Sequence, residues 1–224
     1  MAAAKSNTNW FAIGVSAAVV VILVVLGGLV VFLNNQATSP GATPGSNQTF
    51  NSETGAVTVG DGKAEDEVKV FVDFQCPVCK SFEDQYGAAL ESKAEDGSIV
   101  LEYHPIAILD RYSQGTEYSS RSAGAAVCVA ESNPELYLDY AKALFANQPA
   151  ENSSGLTTDE LAAMATQVGA DDSVECITDE TYRKFGAAQA KSNDIRGTPT
   201  VEVNGTRLDL QNPADMKTFT DLLG

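Results

Sequence analysis

Positive charge is scarce in this chain. Its 224 residues carry 14 Lys and Arg against 30 Asp and Glu, a formal net charge of −16. There is no basic stripe of the kind that tracks a phosphate backbone, which argues against a nucleic-acid partner. The acidic surplus reads as a solubility feature. Histidine is nearly absent, with His104 alone, and cysteine is limited to four residues. A zinc site usually needs four ligands, often in two close pairs. Only Cys76 and Cys79 form a close pair; Cys128 and Cys176 are isolated, each inside a helical pattern. No metal site is expected, and no internal repeat is visible.

No Lys or Arg occurs between Lys5 and Lys63, and residues 10–33 (WFAIGVSAAVVVILVVLGGLVVFL) hold no charge at all. At about 1.5 Å per residue this run is long enough to cross a hydrocarbon core of about 30 Å. A cleaved signal peptide would have a shorter apolar core, about 7–15 residues, and a small-x-small cleavage site. Asn34-Asn35-Gln36-Ala37 is a poor one, so an uncleaved single-pass anchor is expected. No Cys borders the run, which excludes a lipoprotein anchor. Lys5 on the N-terminal side puts residues 1–9 in the cytoplasm and everything after residue 34 outside. Residues 34–65, rich in Ser, Thr, Asn, Gly and Pro, read as a flexible linker. Within it Ala56 to Val59 has the pattern of a short edge strand. Four cysteines beyond the anchor suit an oxidising compartment.

The folded domain is expected over 66–224 and reads as α/β. Val68 to Phe74 is β-branched and aromatic, the pattern of a strand. Helical spacing follows from Pro77 to Leu90, with Pro77 suited to a first turn. Ser98 to Tyr103 alternates as a second strand, giving a βαβ unit. Four helical patterns come next: Ser119 to Glu131, Pro134 to Asn147, Thr158 to Val168, and Asp171 to about Asn193. They form a helical insertion over about 112–194. Thr200 to Val203 returns to the sheet, Asn204-Gly205 is a hairpin signal, Thr206 to Leu208 pairs back, and Pro213 opens a last helix to Leu223. Phe82, Leu90, Leu136, Tyr137, Tyr140, Leu144 and Phe145 are expected in the core, and Glu65-Asp66-Glu67 at a solvated edge.

Cys76-Pro77-Val78-Cys79 sits at the strand-to-helix junction. That placement puts the first sulfur at a helix N-terminus, where free N–H groups and the macrodipole favour an anion. The thiolate is the nucleophilic form. A second signal is Gly197-Thr198-Pro199-Thr200, a Thr-Pro step at the start of a returning strand, where proline is tolerated. Taken alone, either has an ordinary structural reading.

Together, over about Val68 to Leu223, they resemble the thioredoxin superfamily and, within it, the DsbA-like thiol–disulfide oxidoreductases. The matching features are Asp73-Phe74-Gln75-Cys76-Pro77-Val78-Cys79-Lys80, the helical insertion, and Gly197-Thr198-Pro199-Thr200 before the final hairpin. The anchor and a second cysteine pair in the insertion are similar to membrane-anchored DsbA-like proteins of actinobacteria. The resemblance implies a thioredoxin fold with an inserted helical subdomain. Cys76 would be the exposed nucleophile, Cys79 the buried resolving thiol, Pro77 and Val78 the active-site dipeptide, and Pro199 a cis residue facing the disulfide. Thr198 would offer backbone hydrogen bonds to a substrate strand. The implied activity is donation of the Cys76–Cys79 disulfide to exported proteins, with reoxidation by a DsbB-like or VKOR-like membrane quinone reductase and no bound cofactor. A monomer is expected. An envelope reductase or isomerase, and a non-catalytic thioredoxin-like binding module, are the competing readings.

Two positions depart from the family pattern. Val78 stands where DsbA has a thiolate-stabilising His, and Lys80 is the nearest charge that could compensate. Val70 stands where thioredoxin-like chains often carry a buried acid. Asp73 lies closer and reads either as a substitute acid or as a solvated or capping strand-end residue. Four cysteines allow three pairings; bonding of the close pair leaves Cys128–Cys176, read as a staple between two helices of the insertion or as a second redox pair, with the staple favoured because helix-buried Cys lacks electropositive exposure. His104 reads as a strand-end residue with no required chemistry.

Overall fold

The computed structural model describes residues 48–60 and 62–224. The expected anchor at 10–33, and the residues 1–9 expected in the cytoplasm, lie outside the described residues. Among those described, no helix is long and apolar enough to cross a membrane.

Six strands form one sheet: β1 (Gln48–Phe50), β2 (Val57–Val59), β3 (Asp66–Val72), β4 (Ile99–Pro105), β5 (Thr200–Val203) and β6 (Thr206–Leu208), in the order β1-β2-β4-β3-β5-β6. β3 and β4 are parallel, and the other pairs are antiparallel. The folded domain therefore starts inside the expected linker. β1 covers β2, so β2 is not an edge strand, and Val57 and Val59 are fully buried. The turn between them is held by the Asn51 side chain, which accepts from the Glu53 and Thr54 amides. A three-residue strand and a turn built from one asparagine leave little periodicity to read. β3 also begins two residues earlier than the β-branched run indicates. The expected solvated edge is partly tied down: Asp66 accepts from Asn204 Nδ2 at 2.8 Å, and Glu67 pairs with Lys69 at 3.3 Å.

β3 is buried on both faces, which is why it reads as a nearly continuous apolar run. Val68, Val70, Val72 and Phe74 join the main core, whereas Phe71 packs with Ile106, Ala190 and Ile195 in a second cluster. The helices are α1 (Pro77–Phe82), α2 (Ala88–Glu95), α3 (Tyr118–Ser132), α4 (Tyr137–Ala146), α5 (Thr158–Gln167), α6 (Val174–Thr178), α7 (Phe185–Ser192) and α8 (Pro213–Asp221). A π turn at Glu83–Gly87 joins α1 to α2, so the expected helix from Pro77 runs five residues past Leu90. It stops where Gly97 takes φ +77, a left-handed position that glycine occupies without penalty. α5 opens with a reciprocal cap, in which Glu160 N–H donates to Thr157 Oγ1 and Thr157 N–H to Glu160 Oε2. All the expected core residues are buried except Leu136, which is half-buried.

The helix expected from Asp171 to about Asn193 is broken. Glu180 adopts φ +51, and Thr181 N–H returns to the Cys176 carbonyl at 3.1 Å. Glycine or asparagine normally announces such an end; glutamate does not. The break lets the Tyr182 backbone press on α3 at Gly124, where a Cβ would come within 2.9 Å of it. Cys128 of α3 and Cys176 of α6 are disulfide-bonded, with their Cα atoms 5.8 Å apart.

The π turn half-buries an acid that sequence reading missed. Glu83 accepts from the Tyr103 hydroxyl at 3.2 Å, and its carboxyl lies over Gly87, in space a Cβ would fill. Burial pushes Glu83 up to about 7, with the nearby Glu91 adding to the shift.

Two outcomes follow from this packing. The disulfide closes a 48-residue separation, for which chain entropy gives about 4 kcal/mol. The double variant Cys128→Ser/Cys176→Ser is expected to lose on the order of 10 °C of melting temperature by calorimetry while retaining thiol exchange; loss of exchange at unchanged stability would support the redox reading instead. Glu83 has a folded-state value above its usual 4.5. The fold therefore favours its protonated form, and stability present below about 4.5 is lost as pH rises through about 7. Glu83→Gln is expected to flatten that window by on the order of 2 kcal/mol in denaturant titrations at several pH values.

Candidate active site

The site grows out of strand pairing. β3 and β5 run antiparallel with Phe71 opposite Thr200, so the residues just before Thr200 lie beside those just after Val72. Thr198-Pro199 and Cys76 are thereby brought together from 122 positions apart. The Thr198–Pro199 bond is cis, as the resemblance implied.

Between β3 and α1 the chain turns around Asp73, which is fully buried. Of the two strand-end roles expected, solvated or capping, it takes the second. Its Oδ1 accepts from Gln75 N–H at 2.9 Å. Its Oδ2 accepts from the Ile108 and Leu109 amides at 2.8 and 3.1 Å and from the Ser119 hydroxyl. Burial pushes the Asp73 carboxyl up, and these donors pull it back. One carboxylate thus ties the turn before the cysteines to the segment after β4 and to α3. The Asp73 carbonyl also accepts from Cys76 N–H at 2.9 Å.

Cys76 is the N-cap of α1, with Pro77 behind it. Both thiols are free, and both are buried; Cys76 is thus not the exposed residue expected, because the Thr198 carbonyl lies over its sulfur. The Cys76 thiol is lowered to about 6. The hydrogen bond from the Cys79 thiol contributes most, burial opposes it, and Thr198 and the Cys79 and Val78 N–H groups add to the lowering. Cys79 moves the other way. It is fully buried, and burial, followed by the Cys76 sulfur beside it, raises it well above the usual thiol value. The pair is therefore split into one acidic sulfur that keeps 7 % exposure and one neutral, fully enclosed thiol. That division suits a nucleophile and a resolving group.

Thr198 meets the sulfurs in two ways. Its carbonyl oxygen lies 3.3 Å from Cys76 Sγ, accepting from the thiol. Its hydroxyl is buried without a regular hydrogen-bond partner and lowers both thiols. Val78 is 61 % exposed, and with Thr198, Pro199, Leu208 and Leu210 it borders a groove of about 450 Å³ that also touches Asp209 and Gln211. Polar and apolar side chains share the lining of this trough, which lies beside the active-site dipeptide and the cis proline.

Lys80 does not stand in for the missing histidine. Its Nζ donates to the Phe145 carbonyl at 2.8 Å and lies 3.9 Å from Asp84. Hydrogen-bond donors to the sulfur supply the acidity instead. His104 is buried, stacked on Phe71 at 4.4 Å, with Nε2 3.1 Å from Glu102 Oε2. It belongs to the sheet. Two glutamines escaped the sequence reading. Gln75 Nε2 donates to the Tyr112 carbonyl at 2.9 Å. Gln148 Nε2 donates to the Phe74 and Cys76 carbonyls at 3.0 and 2.9 Å. Their partners are backbone oxygens distant in sequence, for which no local signal exists. Among the described residues no cluster of His, Cys, Asp and Glu could hold a metal ion.

Titrating the reduced chain by thiolate absorbance is expected to show one group near 6. Cys79→Ala removes the largest source of the lowering and is expected to move that midpoint toward the usual 9; an unmoved midpoint would contradict the assignment of causes.

Comparison with known proteins places this geometry. A family model described as thioredoxin matches residues 52–222. Among curated proteins, the serine/threonine-protein kinase PknE of Mycobacterium tuberculosis is 33% identical over 172 residues, which is 70% of this chain and 30% of PknE. The chain thus spans under a third of the length of the curated relatives it matches. Among solved structures, DsbA of Mycobacterium tuberculosis in its reduced form is 29% identical, with TM-score 0.64, over 80% of this chain and 93% of that one. The reduced disulfide bond oxidoreductase DsbG of the same organism is 30% identical, with TM-score 0.64, over 82% and 90%. MdbA, a thiol-disulfide oxidoreductase from Corynebacterium diphtheriae, shares the fold at 21% identity and TM-score 0.66, over 79% and 93%. The chain belongs to the thioredoxin family and is DsbA-like in fold.

Proposed function

We propose that this protein is an extracytoplasmic oxidase that donates the Cys76–Cys79 disulfide to folding exported proteins. The observation that carries the reading is the acidity split: Cys76 lowered to about 6 beside a raised Cys79. A thiolate stabilised in the reduced form makes the disulfide easier to give away.

The exchange balances as follows. A substrate thiolate attacks Cys76 Sγ of the oxidised domain, the Cys76–Cys79 bond breaks, and Cys79 leaves as a thiolate that takes a proton. A second substrate thiolate then attacks its own chain's sulfur in the mixed disulfide and expels the Cys76 thiolate. Two electrons pass from substrate to domain, and the substrate leaves with a disulfide. The lowered pKa of Cys76 favours its departure in the second step. The groove beside Thr198 and Pro199 suits an extended segment carrying the cysteine, with main-chain contacts giving affinity and little sequence selectivity. No cofactor enters either step.

The reduced domain must pass its electrons on. A DsbB-like or VKOR-like membrane quinone reductase is the partner whose chemistry fits, and an anchor at 10–33 would hold the two in one membrane. The uncharged run and the absence of Lys and Arg between Lys5 and Lys63 support this placement. A single copy suffices for the chemistry.

Mixing the oxidised chain with reduced, unfolded protein and counting free thiols tests the reading. Substrate thiols are expected to disappear in proportion to the domain reduced, and Cys76→Ser to abolish the transfer. Retention of substrate thiols with Cys76 and Cys79 still bonded would overturn it. Net reduction of a disulfide-bonded substrate by the reduced chain would favour the reductase reading.

A further inference from the structure

We propose that Gln148 is a positioning residue for the Cys76 sulfur: from the end of the insertion's α4, its amide holds the two carbonyls flanking Gln75, so that the first N–H groups of α1 stay aimed at that sulfur. The proposal rests on Cys76 being the nucleophile.

The geometry is specific. One side-chain nitrogen donates to Phe74 O at 3.0 Å and to Cys76 O at 2.9 Å. Among the described residues no other recorded donor meets the Phe74 carbonyl. The intrahelical bond to the Cys76 carbonyl, from Lys80 N–H, is longer at 3.2 Å. The strap that carries Gln148 is itself fixed. Its N–H donates to Phe145 O at 3.2 Å, Lys80 Nζ donates to that same oxygen at 2.8 Å, and the Phe145 ring packs on Phe74 at 5.0 Å. Gln148 therefore acts from a rigid platform in the insertion onto the turn that presents Cys76.

The chemistry makes this placement matter. Pro77 removes one backbone donor from the first turn, leaving the Val78 and Cys79 amides to serve the sulfur. Their aim depends on the position of the Cys76 peptide unit. The two carbonyl oxygens also carry partial negative charge close to a sulfur that must ionise. A donor shared between them offsets that charge and steadies the turn, and both effects favour the thiolate. Here a side chain of the insertion adjusts the sulfur, in place of a side chain of the dipeptide between the cysteines.

The test titrates reduced Cys76 by thiolate absorbance in the full chain and measures its equilibrium with glutathione, alongside the thermal midpoint. Gln148→Leu keeps the bulk and removes the donor. It is expected to raise the Cys76 midpoint by about half a pH unit or more and to make the disulfide about threefold harder to reduce. Gln148→Lys restores a donor of similar reach and is expected to leave the midpoint at or below that of the native chain. An unmoved midpoint in Gln148→Leu, or equal shifts in the Leu and Lys variants, overturns the proposal. Should Gln148→Leu not fold, Gln148→Glu replaces the donor with an acceptor and is expected to titrate at least about one pH unit above Gln148→Lys; equal midpoints for those two overturn it as well. A native chain whose Cys76 titrates near 9 overturns the nucleophile reading and this proposal with it, whereas a native value near 6 with an unresponsive Gln148→Leu overturns the Gln148 role alone.

Discussion

The hydrogen-bond field around the Cys76 sulfur is the interaction on which the rest depends. A buried thiol left to itself would be harder to ionise than one in water, and Cys79, fully enclosed, behaves that way. Cys76 lies one turn away and goes in the opposite direction because donors converge on it, the Cys79 thiol and two amides of the α1 N-terminus, with the Thr198 hydroxyl nearby adding to the lowering. None is a formal charge. The site makes an acidic thiol from dipoles fixed by the fold, without the imidazole that the family pattern puts next to the second cysteine.

Fixing those dipoles takes long-range structure. The β3–β5 pairing delivers Thr198, and the Asp73 carboxylate fastens the turn to Ile108, Leu109 and Ser119. The insertion contributes Gln148 and the Phe145 carbonyl that takes Lys80. The Cys128–Cys176 bond and the capped start of α5 stabilise that insertion at a distance from the chemistry. The helical subdomain is thus part of the site's support as well as a cover for the sheet.

What the sequence conveyed was local. Two cysteines after a buried-looking strand, a proline at a first turn, a Thr-Pro step and an Asn-Gly hairpin each carry their meaning within a few residues, and each stands where it was expected. β1 escaped because three residues form no period. The end of α6 escaped because a glutamate took the left-handed position usually held by glycine. Asp73, Glu83 and Gln148 escaped for a deeper reason: their roles are set by partners that only the tertiary fold brings near. Asp73 reads as a solvated or capping acid, and only the approach of Ser119 and the Ile108 and Leu109 amides decides between the two. Gln148 reads as a loop residue until the loop lies against Cys76.

The reduction potential of the Cys76–Cys79 couple in the full chain tests this account most directly. If dipoles alone hold the reduced Cys76 as a thiolate, the potential against a glutathione buffer is expected above about −200 mV, on the oxidising side of the cytosolic glutathione poise. A value near the roughly −270 mV of thioredoxin would mean the thiolate gains little from its surroundings, and would contradict the assignment of this site to disulfide donation.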